Sequence, residues 1–164
     1  KILIEHAKAG KTVVRLKGGD PYVFGRGGEE LIACRDAGVD VEVVPGVTSA
    51  IAVAAAAGIP VTHRGVSRGF SVVTGHEELA SLPTRSDHTI VLMMGVKRLA
   101  QTVAEMIAAG HEEQTPVAVI ERGFSPTQRT TIGTLATIGE LASEAKSPAV
   151  VVIGDVVRLA TPAS

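Results

Sequence analysis

Residues 13–30 read VVRLKGGDPYVFGRGGEE, and the rest of the chain makes sense when read outward from them. A β-branched pair, Val13-Val14, runs through Arg15-Leu16-Lys17 and is broken by Gly18-Gly19-Asp20-Pro21. Paired glycines permit positive φ and let a ligand approach bare backbone. Pro21 fixes its own φ and keeps Asp20 out of the helical region, so the carboxylate is held on an extended turn. After Tyr22-Val23-Phe24 comes Gly25-Arg26-Gly27-Gly28, and Glu29 and Glu30 open a helix whose positive dipole end favours acids. A strand that ends in a glycine turn and restarts as a helix is where open α/β sheets bind ligands. The spacing fits neither the dinucleotide nor the P-loop fingerprint. Asp20 would repel a phosphate, and suits an ammonium, a sulfonium or ribose hydroxyls.

Composition narrows the function. The chain has 164 residues, 45% hydrophobic and 20% charged, with a net charge of −1. That describes a globular chain with room for one large or two small domains. With three Phe, one Tyr and no Trp, the core must be aliphatic. Few aromatics and no basic excess argue against a nucleic-acid partner. Cys34 is the only cysteine, which excludes an internal disulfide and cysteine-rich zinc sites, and we expect it packed inside a helix. No metal site is expected. No apolar run approaches a membrane span and no signal peptide is apparent, so we expect a cytoplasmic protein. Lys1–Ala9 reads as the end of an amphipathic helix stopped by Gly10. With no initiator methionine, we expect the chain to be a piece lacking its N-terminal part.

Onward, strands and helices alternate, as in a sheet with crossover helices. We expect strands at 12–16, 41–44, 70–74, 89–94, 116–121, 130–135 (with Gly133 at a bulge) and 149–153. Helices are expected at 29–37, 50–57 (capped by Thr48 or Ser49), 96–109 and 137–145. The segment 75–88 reads as a loop with a short helical turn. Turn chemistry at 59–65 marks a hinge, which divides the chain into domains 1–66 and 67–164.

Five motifs follow in one order: LKGGDPYVFGRGGEE, VVPGVTSAIAVAAAAGIPVTHRG, VLMMG, PVAVIERG with TQRTTIGTL, and SPAVVVIGDVVRL. Together they resemble the tetrapyrrole methylase family over nearly the whole chain, and GRGGEE with PGVTSA and THR resembles its uroporphyrinogen-III-methylating branch. The resemblance implies a two-domain α/β enzyme. Its first domain carries a mostly parallel sheet, incomplete here, and its second a mixed sheet with helices. It further implies a homodimer with S-adenosylmethionine between the domains. The reaction would methylate two pyrrole carbons of uroporphyrinogen III, giving precorrin-2 for sirohaem or cobalamin. Carried over by motif, cofactor contacts fall on Gly18, Gly19, Asp20, Val23, Thr48, Ser49, Met94 and Gly123. The acid–base residues of the family belong to its N-terminal loop, so no catalytic residue is assigned. In two further places the sequence departs from the family pattern: Gly65 stands where an acid is expected, and the segment Glu77–Asp87 is short. Rival readings are a sister methylase acting on a later precorrin and a non-catalytic remnant of the fold.

A substrate with eight carboxylates calls for guanidinium groups, which pair with them bidentately. Arg15, Arg26, Arg64 and Arg129 all lie in or beside the motif turns, and Arg26, flanked by glycines, is the strongest of them. Arg15 and Arg129 read equally well as solvated surface charges. His63 reads better as a hydrogen-bonded spacer than as a base.

Overall fold

The computed structural model describes residues 1–75 and 79–161, in two compact units, Lys1–Thr48 and Ser49–Ser164. Of the short segment Glu77–Asp87, Glu77 and Glu78 lie outside the described residues.

In Lys1–Thr48, helix α1 (Ile2–Lys8) ends before Gly10 at φ +77°, and helix α2 spans Gly27–Asp36. Cys34 is buried on α2. Helix α2 starts two residues before Glu29 because Arg26 adopts a left-handed conformation and serves as N-cap. The expected strands 12–16 and 41–44 are not formed. A strand needs a ladder of hydrogen bonds, and among the described residues neither stretch has a ladder partner. Their apolar side chains stay exposed, with Val14 at 81%, Leu16 at 84% and Val44 at 71%. The parallel sheet expected of a first domain is therefore not built by these residues alone. Ion pairs from Arg15 and Lys17 to Glu30, at 3.2 and 3.0 Å, instead tie the extended stretch to α2.

In Ser49–Ser164, helix α3 (Ser49–Ala56) is followed by strands β1 (Gly69–Thr74) and β2 (His88–Met93), then helix α4 (Leu99–Ala108). Strands β3 (Pro116–Glu121) and β4 (Arg129–Thr134), helix α5 (Ile138–Leu141) and strand β5 (Ala149–Ile153) complete it. The sheet order is β1-β2-β5-β3-β4. Among the described residues only β1 and β2 pair in parallel; the other pairs are antiparallel, giving the expected mixed sheet. Side chains alternate along each strand. Ile90, Leu92, Val117, Val119, Val151 and Ile153 face α4 and α5, beside Leu99, Val103, Met106 and Ile138. Val91, Ala118, Ile120, Val150 and Val152 face Ala50 and Ala54 of α3 and the short turn carrying Val156. Burying each Val, Leu, Ile or Met side chain among these contributes about 1.5–3 kcal/mol.

Two further expectations are corrected. Gly133 is no bulge, since it pairs in unbroken register with Val117. Its missing side chain is required by packing instead: a Cβ there would lie 2.9 Å from both Leu141 and Thr137. Helix α5 is four residues long rather than nine. Turn-type bonds, Ser143 N–H to Glu140 and Ala145 N–H to Ala142, replace the helical ladder beyond it.

Candidate functional site

The turn 18–28 is built by close backbone approaches. Asp20 accepts the Tyr22 amide on Oδ1 at 2.8 Å and the Gly46 amide on Oδ2 at 3.1 Å. Gly27 donates its N–H to the Pro21 carbonyl at 2.9 Å. A Cβ on either Gly25 or Gly27 would come within 2.6 Å of that carbonyl, which accounts for two of the glycines in GRGG. Gly19 takes φ +73°, and the side-chain direction of Gly18 opens on empty space. The outer face of the turn is thus bare backbone. Val23 is half-buried under the turn, its N–H directed to the Asp20 carbonyl at 3.3 Å.

Arg26 is exposed and forks onto Glu29, with Nη2–Oε2 at 2.7 Å and Nε–Oε1 at 3.1 Å. That hydrogen bond and charge raise the arginine's pKa and lower the glutamate's. The Arg15 guanidinium bonds Glu30 and the Leu16 carbonyl. Glu30 is held below the ordinary carboxylate value by the hydrogen bond from Lys17, against some burial, with Arg15 adding to it.

In Ser49–Ser164 the sheet register brings two more predicted positions to one edge. Met93 and Ile120 both pair with Val150 of β5, so Met94 and Gly123 lie just past strand ends on the same side. The two strands are separated only by β5, a spacing of about 10 Å. Ser49 opens α3, and a Cβ on Gly123 would meet Val53 of that helix at 2.9 Å. Gln128 ties the turn 122–128 to α3, donating Nε2 to the Ala56 carbonyl at 3.1 Å and accepting the Phe124 amide at 2.8 Å. Arg64 is exposed in the tight turn bridged by His63 and Ser67, and the His63 ring contacts the Arg64 carbonyl at 2.9 Å through Nδ1, as a spacer does. Gly65 there has φ +81°, which an acidic side chain rarely adopts.

Among the described residues, five that are not glycine take positive φ: Phe24, Arg26, Met94, Arg122 and Phe124. All five sit in three glycine-containing turns, at residues 18–28, 94–95 and 122–128. Such conformations cost on the order of 1–3 kcal/mol each and cluster at ligand clamps and active sites.

Sequence reasoning did not single out Glu121, which is 2% exposed at the end of β3. It accepts Arg129 Nε on Oε2 and the Lys146 amide on Oε1 at 2.9 Å. Burial pushes its carboxyl up, but those two hydrogen bonds and the charges of Arg129 and Arg122 together hold it below the ordinary value. A charged residue closing the apolar run Pro116–Ile120 was the available signal. Gly46, Phe124 and Gln128 carried no such sign.

Residues 1–139 match the family described as Tetrapyrrole (Corrin/Porphyrin) Methylases. The chain belongs to the tetrapyrrole methylases. It is 51% identical, over 97% of its length, to an S-adenosyl-L-methionine-dependent uroporphyrinogen III methyltransferase of Methanosarcina barkeri, of which it covers 66%. It is 48% identical to siroheme synthase 1 of Klebsiella pneumoniae, covering 97% of this chain and 35% of that protein. The tetrapyrrole methylase chain thus spans a third to two thirds of the length of these relatives. Among solved structures, uroporphyrin-III C-methyl transferase of Thermus thermophilus, complexed with S-adenyl homocysteine, superposes with a TM-score of 0.84 at 41% identity. That match covers 96% of this chain and 72% of the other.

Proposed function

We propose that this tetrapyrrole methylase chain serves the S-adenosylmethionine-dependent C-methylation of uroporphyrinogen III to precorrin-2, on the way to sirohaem or cobalamin. The observation that carries the reading is the concentration of left-handed backbone in the three glycine turns. The two uroporphyrinogen-III-methylating relatives and the siroheme synthase described above supply the substrate class.

The residues present fit the cofactor. Bare backbone at Gly18 and Gly19 admits a bulky nucleoside, and Asp20 keeps a free lone pair on each oxygen for a cation or hydroxyl. Val23, Thr48, Ser49, Met94 and Gly123 would complete its contacts. Bound S-adenosylmethionine supplies an electrophilic sulfonium methyl. The chain's own contribution is positioning and exclusion of water, which account for most of the rate gain in such a transfer. Arg26, Arg64, Arg15 and Arg129 would hold substrate carboxylates. Arg26 is the most available of these, because its exposed pair with Glu29 exchanges at little cost. Arg129 already gives Nε to Glu121 and has its terminal nitrogens left to offer. The reading includes a domain division near residue 66, a homodimer and a cytoplasmic location; among the described residues no helix is long and apolar enough to cross a membrane.

The test is methyl transfer from labelled S-adenosylmethionine to uroporphyrinogen III by the full protein that contains this sequence, with calorimetry of S-adenosylhomocysteine binding. Cofactor binding together with labelled precorrin-2 is expected. Cofactor binding with transfer only to a later precorrin would overturn the substrate assignment, and no cofactor binding would overturn the whole reading.

A further inference from the structure

Helix α3 is eight residues long and reads SAIAVAAA, so past Ser49 none of its side chains can anchor it by a hydrogen bond. Ser49, Val53 and Ala56 stand at i, i+4 and i+7 and therefore share one face. The helical rise spreads them over about 10 Å. A Cβ on Gly123 would meet Val53 at 2.9 Å, so the turn 122–128 lies against the middle of that face. At its end the Ala56 carbonyl accepts Nε2 of Gln128 at 3.1 Å, across 72 residues of sequence.

The turn meeting this face holds an unfavourable conformation. Gly123 stands between Arg122 at φ +49° and Phe124 at φ +64°, and the Phe124 side chain is too exposed to pin it by packing. Left-handed backbone at such residues persists only where the surroundings over-determine it. Inside the turn, Ser125 donates its N–H to the Arg122 carbonyl and Gln128 its N–H to the Ser125 carbonyl, each at 3.0 Å. The Phe124 amide goes instead to Gln128 Oε1 at 2.8 Å. Half-buried Gln128 thus spends both ends of its side-chain amide. The oxygen accepts from the strained turn, and the nitrogen donates to a carbonyl that helical bonding leaves open. Turned over, the amide would set donor against donor and acceptor against acceptor, so one orientation alone fits.

We propose that Gln128 is a positioning residue for the methyl donor. It fixes where the turn sits along α3, and so the spacing between Gly123 and Ser49, acting through the turn rather than on the ligand. This inference rests on the reading above that gives S-adenosylmethionine contacts to those two residues. Without the tie the turn samples other placements, and apparent affinity falls with the fraction of molecules that keep Gly123 in place. Substrate binding has no share in the loss. Of the arginines read as holding carboxylates, Arg129 is next in sequence, and Glu121 anchors it separately.

The test is calorimetry of S-adenosylhomocysteine with the full protein that contains this sequence. Beside it are measured the melting temperature and the Michaelis constant for uroporphyrinogen III at saturating S-adenosylmethionine. Gln128→Leu removes both hydrogen bonds at similar volume. Gln128→Glu keeps an acceptor for the Phe124 amide but sets an oxygen against the Ala56 carbonyl. Each variant is expected to bind S-adenosylhomocysteine roughly tenfold more weakly, with the uroporphyrinogen constant within about twofold of wild type. Undiminished binding by either variant would overturn the inference alone. So would equal losses for both ligands in step with a falling melting temperature, the mark of a merely structural peg. Wild-type protein that binds no S-adenosylhomocysteine would overturn the cofactor reading itself, and this inference with it.

Discussion

The amide of Gly46 donates to Oδ2 of Asp20 at 3.1 Å, across 26 residues of sequence. Its partner turn presses so close that a Cβ on Gly46 would sit 2.2 Å from the Gly19 carbonyl oxygen. One carboxylate and one missing side chain therefore bind the glycine turn to the loop of VVPGVTS.

Asp20→Asn removes one acceptor and points an amide donor at either the Tyr22 or the Gly46 N–H. The variant is expected to lose about 1–3 kcal/mol of local stability, because a hydrogen bond to a charged group is worth that much. Amide exchange at Gly46 should accelerate accordingly. Unchanged exchange there would show that the tie is dispensable.

Gly46→Ala tests the same contact sterically. Backbone cannot yield as a flexible side-chain tip does, so the two loops must separate, at a cost of about 1–3 kcal/mol. The expected readout is a lower melting temperature together with weaker S-adenosylhomocysteine binding.

Arg26→Ala should raise the Michaelis constant for uroporphyrinogen III roughly tenfold, while cofactor affinity stays nearly constant. Lysine should rescue only part of the loss, since an ammonium cannot make the paired contact. Folding should be unaffected, because the existing pair with Glu29 is exposed. A cofactor defect with intact substrate binding would reverse the assignment.

Arg129→Met leaves the Glu121 carboxylate buried with the Lys146 amide as its remaining partner, a loss of about 1–3 kcal/mol. The sign in pH follows from a folded pKa held below the ordinary 4.5. The wild-type contribution is complete above that value and disappears as the pH falls below it through the folded pKa. Denaturation midpoints of wild type and variant should therefore differ at neutral pH and converge under acid. A constant gap at every pH would exclude the ion pair as its source.

Phe124→Gly should relieve a left-handed backbone at φ +64° and stabilise the fold by as much as about 1 kcal/mol. Phe124 is 72% exposed, so little packing is lost to offset that gain. If the turn is functional, methyl transfer should fall as stability rises. A rise in both would remove the argument from strain.

Continuous apolar runs and glycine stops made the second unit legible: β3 and β5 fall where the sequence puts them, since each is buried on both faces. The same signals misled at 12–16 and 41–44, because β propensity reports a side chain's fitness for a sheet and not the presence of a neighbour. At the site, GGDP and GRGG announced a turn. That Asp20 spends both oxygens on backbone amides could not be read, because Gly46 reaches it only through the fold. Glu121 was overlooked for a related reason: its partners, Arg129 and Lys146, lie 8 and 25 residues away and reach it only through the fold.

Of the five described strands of the sheet, the central one, β5, is the last to leave the ribosome. Until Ala149–Ile153 emerges, β2 and β3 have no common neighbour, and the paired edges of β1-β2 and β3-β4 stand open to the solvent. Nascent chains of this protein are thus committed to a long interval with exposed apolar edges, in which self-association competes with folding. Closure through contacts so distant in sequence is slow compared with hairpin formation. Synthesis arrested just before residue 149 should yield chaperone-bound, protease-sensitive chains, and release after residue 159 should yield resistant ones.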